Sequence, residues 1–260
     1  MTSEDFVSVV LPCYNEKGNI LSLIDAIHNE LCFVSHEIIV IDDNSPDGTF
    51  LLVQQKNIPF VKPVLRTSDP SLAKSIRRGI EEAKGNILVV MDSDFNHQPL
   101  YLPMMIKNME FYDCVSASRF VYSGKMDKRW KHYCSWIFNI WVRLLTRTSI
   151  TDNLYGYFSI RREILEKIDY DKIFWGYGDY CIRLMFYLQQ LDVKVLQFPA
   201  ENGKRLAGTG NSHFIKVLFQ YLNATIKLVI TDLKNEKNDI GKYSFVLLLF
   251  NYLIHTNLLL

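Results

Sequence analysis

Asp92, Ser93 and Asp94 close an apolar run, and their two carboxylates at i and i+2 are the side chains in this sequence best suited to chemistry. Two acids so close cannot both ionise comfortably without a cation. Their hard oxygens suit Mg²⁺ or Mn²⁺, and a nucleoside diphosphate would complete the coordination shell. A metal held there bridges phosphate oxygens and stabilises charge on a departing diphosphate. The other reading of the same residues is a solvated acidic turn. Asp42 and Asp43 also follow an apolar run. A carboxylate there can accept from a base N–H or a ribose hydroxyl, or the cluster is a turn capped by Asp43, Asn44 and Asp47. Pro12, Tyr14 and Glu16 carry the same pair of alternatives. Tyr14 stacks on a base and Glu16 bonds it, or the residues cap the next helix.

The elements that must position these groups are legible in the first half. Residues 6–11 (FVSVVL) predict a buried strand that Pro12 stops. Ile20, Leu23, Ile24, Ile27 and Leu31 recur at helical spacing. Residues 37–41 predict a second strand, 60–66 a third and 86–91 a fourth. Residues 72–84 predict a helix that Gly85 terminates. Short apolar strands separated by helices imply a parallel sheet with helices on both faces. Ligands of such sheets bind outside the carboxyl ends of the strands, where strand order reverses. All three polar clusters follow strand ends, so the topology gathers them at one edge.

Composition narrows the class. The 260 residues are 48% apolar, enough for a substantial core. The formal charge is +1, which gives no global field to recruit nucleic acid. Cys13, Cys32, Cys114, Cys134 and Cys181 are odd in number and widely spaced, which fits a reducing compartment rather than a disulfide framework or a zinc site. The first ten residues lack a basic-then-apolar leader pattern, so the expectation is a cytosolic protein.

The second half reads differently. Lys125, Lys128, Arg129, Lys131, Arg143 and Arg147 alternate with Trp130, Tyr133, Trp136, Phe138 and Trp141. Such a mixture suits a lipid or membrane edge, or an amphipathic helix whose aromatic rings face the core. Residues 214–233 have helical spacing, as an interfacial or a core helix. Residues 243–260 carry no Asp, Glu, Lys or Arg. A spanning helix needs about 20 apolar residues, so this tail is a borderline anchor or an amphipathic helix on a membrane or another subunit.

Together these stretches resemble the inverting GT-A glycosyltransferases, and among them the dolichyl- and polyprenyl-phosphate mannosyltransferases. The likeness is carried by VVLPCYNE (9–16), EIIVIDDNSPDGT (37–49), LAKSIRRGIEEAKGNILVVMDSDFNHQP (72–99), SASRF (116–120), DNLYGYFSIRREIL (152–165) and VLQFPAENGKRLAG (195–208). The resemblance implies a mostly parallel, doubly wound nucleotide-sugar-binding fold over 1–215. Residues 216–260 then form a helical, membrane-associated segment. It implies that Pro12, Tyr14, Glu16 and Asp43 hold the nucleotide, with Asp42 adjacent. Asp92, Asp94 and Asn96 fall where relatives ligate the metal, which makes Asp94 a catalytic candidate too. Arg119 and Arg205 match arginines able to clamp phosphates. An R-x-x-x-S pair binds acceptor phosphate in relatives, and here Lys131 and Ser135 take those places.

The expected reaction is inverting transfer of a hexose from a GDP- or UDP-sugar, mannose from GDP-mannose first, to a polyprenyl phosphate at the cytosolic membrane face. A hydroxyl of a lipid-linked glycan or polysaccharide is the alternative acceptor. It would need a general base, and Asp179 stands where hydroxyl-transferring relatives often keep one. As the other reading, Asp179 caps a helix over 180–190. A non-catalytic membrane partner of the same fold ranks third, because both metal carboxylates are present.

Overall fold

A run of apolar residues in a strand must serve two faces at once, because successive side chains alternate. In the computed structural model, which describes residues 5–126, 128–207 and 214–235, the chain opens with β1 (Phe6–Cys13), α1 (Ile20–Glu30), β2 (Ser35–Asp42), α2 (Thr49–Lys56) and β3 (Val61–Leu65). It continues through α3 (Leu72–Glu82), β4 (Ile87–Val90), α4 (Leu102–Asn108), β5 (Cys114–Ser118) and α5 (Arg129–Thr146). Then come β6 (Phe158–Arg161), the short α6 (Arg162–Leu165) and α7 (Tyr170–Ile173), α8 (Tyr180–Gln190), β7 (Val195–Pro199) and α9 (Phe214–Asn235). Val7, Val9 and Leu11 of β1 enter one apolar layer with Leu23, Ile24 and Ile27 of α1. Val10 enters the opposite layer with Ile76 and Ile80 of α3.

The sheet order is β3-β2-β1-β4-β6-β5-β7. Strands β1 to β4 are mutually parallel. Only β6 runs against its neighbours β4 and β5, and β7 is again parallel to β5. The chain steps outward from β1 to β3 and then returns to place β4 on the other side of β1. A crevice therefore opens at the carboxyl ends of β1 and β4.

Two local expectations are corrected. Strand β1 does not stop at Pro12 but runs to Cys13, with Pro12 beside Ile41. Val10 accepts from Met91 on the β4 side, and Cys13 accepts from Asp43 on the β2 side. Pro12 shares the parity of Val10, so its missing N–H faces β4 just past that strand's end and no ladder bond is lost. Helix α3 ends at Glu82 with Ala83 extended, so Gly85 is not its cap. A Cβ at Gly85 would stand 2.5 Å from the Phe6 carbonyl oxygen and 2.7 Å from the Ser8 nitrogen. Glycine is required there because the turn passes against β1.

Gly79 sets the distance of α3 from the sheet. A Cβ there would clash with Val10 Cγ1 and lie 3.1 Å from Ile41 Cγ1, and both neighbours are fully buried. Gly79→Ala is expected to cost about 1–3 kcal/mol by overpacking. Urea unfolding should show a lower midpoint at unchanged slope. An unchanged midpoint would mean that α3 can lift from β1 without loss.

Residues 214–233, expected to be helical, fall in α9. Its Tyr221 and Leu228 pack with Phe138 and Val142 of α5 and with Ile182 and Phe186 of α8. Among the described residues, no helix is long and apolar enough to cross a membrane. The 243–260 tail and the 208–213 stretch lie outside the described residues. Helix α5 turns Ser135, Phe138, Asn139 and Val142 inward. Trp130, Tyr133, Trp136 and Trp141 are exposed. The reading that its aromatic rings face the core holds for Phe138 alone.

Candidate active site

A cleft of about 1190 Å³ lies at the carboxyl ends of β1 to β4. Its walls are four loops that the sequence ties to one another. Behind β1, the N–H groups of Asn15, Glu16 and Lys17 donate to Ser45 Oγ (2.9 Å), Thr49 Oγ1 (3.0 Å) and Asp47 Oδ2 (3.0 Å). The dense turn after β2 is thus the brace of the loop after β1. Burial would raise the carboxyl of Asp47, but donors from Thr49 and Lys17 outweigh it and hold that group below its ordinary value. Asn15 and Asn44 take left-handed φ of 60° and 59°, which asparagine tolerates better than most residues.

Behind β3, the guanidinium of Arg66 donates to Asp43 Oδ1, to Ser75 Oγ (2.6 Å) and to the Asp69 carbonyl (3.0 Å). The other oxygen of Asp43 accepts the Ser71 N–H at 2.9 Å. Ser71 Oγ in turn donates to the Gly176 carbonyl at 2.6 Å, which docks the 174–179 loop and brings Tyr177 to the cleft wall.

Behind β4 lies the acidic pair. Ser93 Oγ donates to the Pro12 carbonyl at 2.8 Å and fixes the turn to β1. Asp94 is buried. Its Oδ1 accepts the Asn96 N–H at 3.0 Å, and its Oδ2 accepts from Asn96 Nδ2 at 2.6 Å. Arg205, remote in sequence, donates to Asp94 Oδ2 from Nε (3.1 Å) and Nη2 (2.8 Å), and to Glu16 Oε1 at 2.7 Å. Asn19 holds Glu16 Oε2 at 2.6 Å and pairs with the backbone of Ala207, so the segment after β7 is pinned over α1. Burial raises the carboxyl of Glu16, against the pull of Asn19 and Arg205. The side chain of Asp92 lines the cleft and is half-buried, with 45% of its surface open. That burial raises its carboxyl above the ordinary range, with Asp94 adding to the shift and Arg205 and Arg119 opposing it.

The structure brings together Pro12, Tyr14, Glu16 and Asp43 with Asp92, Asp94 and Arg205. Five expected site residues do not line the cleft. Asp42 is wholly buried and turns Oδ1 to the Ser45 N–H (2.7 Å), so it builds the turn and offers a nucleotide nothing. Asn96 does not line the cleft and donates its Nδ2 to Asp94 Oδ2, beside the place expected for the metal. Arg119 is buried in a two-point bond to Asp152 (2.7 and 2.9 Å) and lies 4.7 Å from the centre of the Tyr155 ring. Its charge reaches Asp92 but its guanidinium is already held. Ser135 faces the core, and Lys131 Nζ lies 5.4 Å from the centre of the Phe214 ring, on the α5–α9 side.

Asp179 is also withdrawn. It is buried, accepts the Tyr177 N–H at 2.8 Å and is ion-paired with Arg183. It precedes α8 (Tyr180–Gln190) as expected, but its side chain makes no capping bond. Sequence reasoning missed Arg66, Tyr177 and His97. His97 stands three residues past Asp94, and a histidine so placed was the available signal.

Comparison with known proteins agrees with this geometry. The family model described as glycosyl transferase family 2 matches residues 8–169. A dolichol-phosphate mannosyltransferase of Pyrococcus furiosus is 31% identical over 247 residues, 92% of this chain and 68% of that protein. An undecaprenyl-phosphate mannosyltransferase of Micrococcus luteus is 29% identical over 203 residues, 74% of this chain and 82% of that protein. Among solved structures, glucosyl-3-phosphoglycerate synthase from Mycobacterium tuberculosis, in complex with Mn²⁺, UDP and phosphoglyceric acid, superposes with a TM-score of 0.65. The match covers 86% of this chain and 78% of that one at 20% identity, which speaks for a shared GT-A fold. With more than half of its length matched by that family model and a relative at 31% identity, the chain belongs to glycosyl transferase family 2 and is a glycosyltransferase.

Proposed function

We propose that this enzyme moves a hexose, with inversion, from a nucleoside diphosphate sugar to a polyprenyl phosphate at the cytosolic face of a membrane, with GDP-mannose as donor and Mg²⁺ or Mn²⁺ as cofactor. The mannosyltransferase names of the relatives support the donor and the acceptor. The donor set suits a hard dication. Asp94 already stands against a cationic guanidinium, and the raised carboxyl of Asp92 is what a neighbouring cation would relieve. Among the described residues no group of three or more His, Cys, Asp or Glu converges on one point. Asp92 and Asp94 would hold the cation, and diphosphate oxygens would complete its coordination shell. When bound, the cation supplies Lewis-acid stabilisation of the leaving diphosphate.

The chain's own residues do the rest. Tyr14 is 57% exposed at the cleft and offers its ring to the base. Asp43 keeps a lone pair on each oxygen beyond its bonds to Arg66 and Ser71, enough to accept from a base or a ribose hydroxyl. Arg205 carries a guanidinium fork suited to phosphate, which it would turn from Asp94 and Glu16 toward the donor. We assign residues 1–215 to transfer, and 216–260 together with the outer face of α5 to membrane contact.

The state of Asp179 is the observation that carries the acceptor. A hydroxyl nucleophile needs a base within reach. The candidate base is buried, ion-paired and off the cleft. A lipid phosphate arrives already anionic and needs only positive groups and positioning. The exposed rings of α5, with Lys128, Arg129 and Arg143 exposed among them, suit an anionic lipid surface. Replacing Trp130, Trp136 and Trp141 by Ser should lower co-sedimentation with anionic vesicles while the circular dichroism spectrum is unchanged. Equal co-sedimentation would exclude α5 as the membrane contact.

The direct test incubates the enzyme with labelled GDP-mannose or UDP-glucose, polyprenyl phosphate and Mg²⁺ or Mn²⁺, followed by extraction into organic solvent. Label from GDP-mannose in the organic phase is expected. Label only in water-soluble glycan would reject the phosphate acceptor.

A further inference from the structure

His97 is buried behind the acidic pair, on the side away from the cleft. Its Nδ1 accepts the backbone N–H of Asp92 at 2.8 Å, and its Nε2 lies 3.5 Å from Asp92 Oδ2. Because Nδ1 accepts, the ring proton of the neutral imidazole is on Nε2. Burial holds the ring neutral, pushing it down to about 3. The ring stacks on Tyr157 (4.9 Å between centres, 7° between planes) and meets the edge of Tyr155 at 4.5 Å. Both tyrosines also grip the loop that carries the acids. Tyr155 Oη donates to the Asn96 carbonyl at 3.1 Å, and Tyr157 Oη donates to the Gln98 carbonyl at 2.9 Å. Three rings from two segments thus hold the 92–98 loop at Asp92, Asn96 and Gln98, across a left-handed Phe95 (φ 67°) that would otherwise relax.

We propose that His97 is the positioning residue of the acidic pair: through Nδ1 it anchors the backbone of Asp92, and through its stack on Tyr157 it fixes the turn, so that the Asp92 carboxylate is held at the cleft for the cation. This inference rests on the proposed metal site at Asp92 and Asp94. It assigns to His97 the outer-shell work that orients a ligand before the metal arrives. His97 itself touches neither donor nor cation.

The test reads Mn²⁺ affinity by electron paramagnetic resonance titration of the full chain in the presence of GDP. His97→Phe keeps the ring stack and removes the backbone anchor. His97→Asn keeps an acceptor at the place of Nδ1, whereas His97→Gln places its amide near the position of Nε2 and gives up the backbone anchor. His97→Phe should weaken Mn²⁺ by about 10-fold or more, as outer-shell losses do. His97→Asn should restore most of the affinity and His97→Gln little of it, with GDP binding in the absence of metal unchanged. Wild-type affinity in both His97→Phe and His97→Gln would overturn the assignment, and should His97→Phe fail to fold, the Asn and Gln pair decides alone. Asp94→Ala separates the two proposals. If the wild type binds no more Mn²⁺ than Asp94→Ala does, the metal site itself is wrong. If only Asp94→Ala differs from wild type, the site stands and the role of His97 falls.

Discussion

Asp94→Ala is expected to reduce sugar transfer by about 10³-fold or more, the scale seen when a preorganised electrostatic group is removed from a transition state. The reason is local. Asp94 is the buried member of the acidic pair, and its Oδ2 is where the cationic side chain of Arg205 already sits. Removing the carboxylate leaves Asp92 as the remaining acid of that turn. The substitution also deletes an acceptor for the Asn96 N–H, so Asp94→Asn is the necessary companion. Asparagine preserves an oxygen for that turn while discarding the charge. The two variants should be equally inactive, with Asp94→Ala the less stable by about 1–3 kcal/mol because it leaves the Asn96 N–H without its acceptor, while Arg205 keeps Glu16 as a partner in both. Activity in Asp94→Asn near wild type would mean that geometry, not charge, is what this position supplies.

The donor half of this enzyme was readable because its strands are long apolar runs and its polar residues come in dense clusters at their ends. VVL before Pro12, EIIVI before Asp42 and ILVV before Asp92 each announce a buried parallel strand. The second half gave no such signal. Strand β5 (CVSAS) and strand β6 (FSIR) are short and carry buried serines that read as loop, and β7 (VLQFP) ends on proline. Their pairing is decided by tertiary contact rather than by local pattern. The site followed the same division. Contacts within one loop or between neighbouring loops could be anticipated from turn chemistry. Arg205 on Asp94, 111 positions apart, and the tyrosine–histidine stack behind Asp92 could not. Asp42 misled for a physical reason: adjacent residues at a strand end face opposite sides, so only one of two neighbouring acids can look into the cleft.

The Asp179–Arg183 pair yields the second large effect, and it separates folding from chemistry. Arg183 is 1% exposed, donates to the Ile173 carbonyl at 2.8 Å and to the Trp175 carbonyl, and is stacked 3.7 Å from the centre of the Trp175 ring. It is the tie that closes the 174–179 loop, and through that loop it holds Tyr177 at the cleft. Arg183→Met should cost about 3–5 kcal/mol, because it strands a buried carboxylate and leaves two backbone carbonyls without their donor. Asp179→Asn removes the opposite charge and keeps one oxygen for the Tyr177 N–H, while its amide nitrogen takes the place of the oxygen that accepts from Arg183. Its stability should fall as well. Below its unfolding transition, however, its turnover should stay within about tenfold of wild type, since a general base is worth roughly 10²–10⁴ and this acid is not one. A loss of about 10²-fold or more, with nucleotide binding intact, would make Asp179 a base after all. The acceptor would then be a hydroxyl, because a phosphate that enters as an anion has no proton that this carboxylate needs to take.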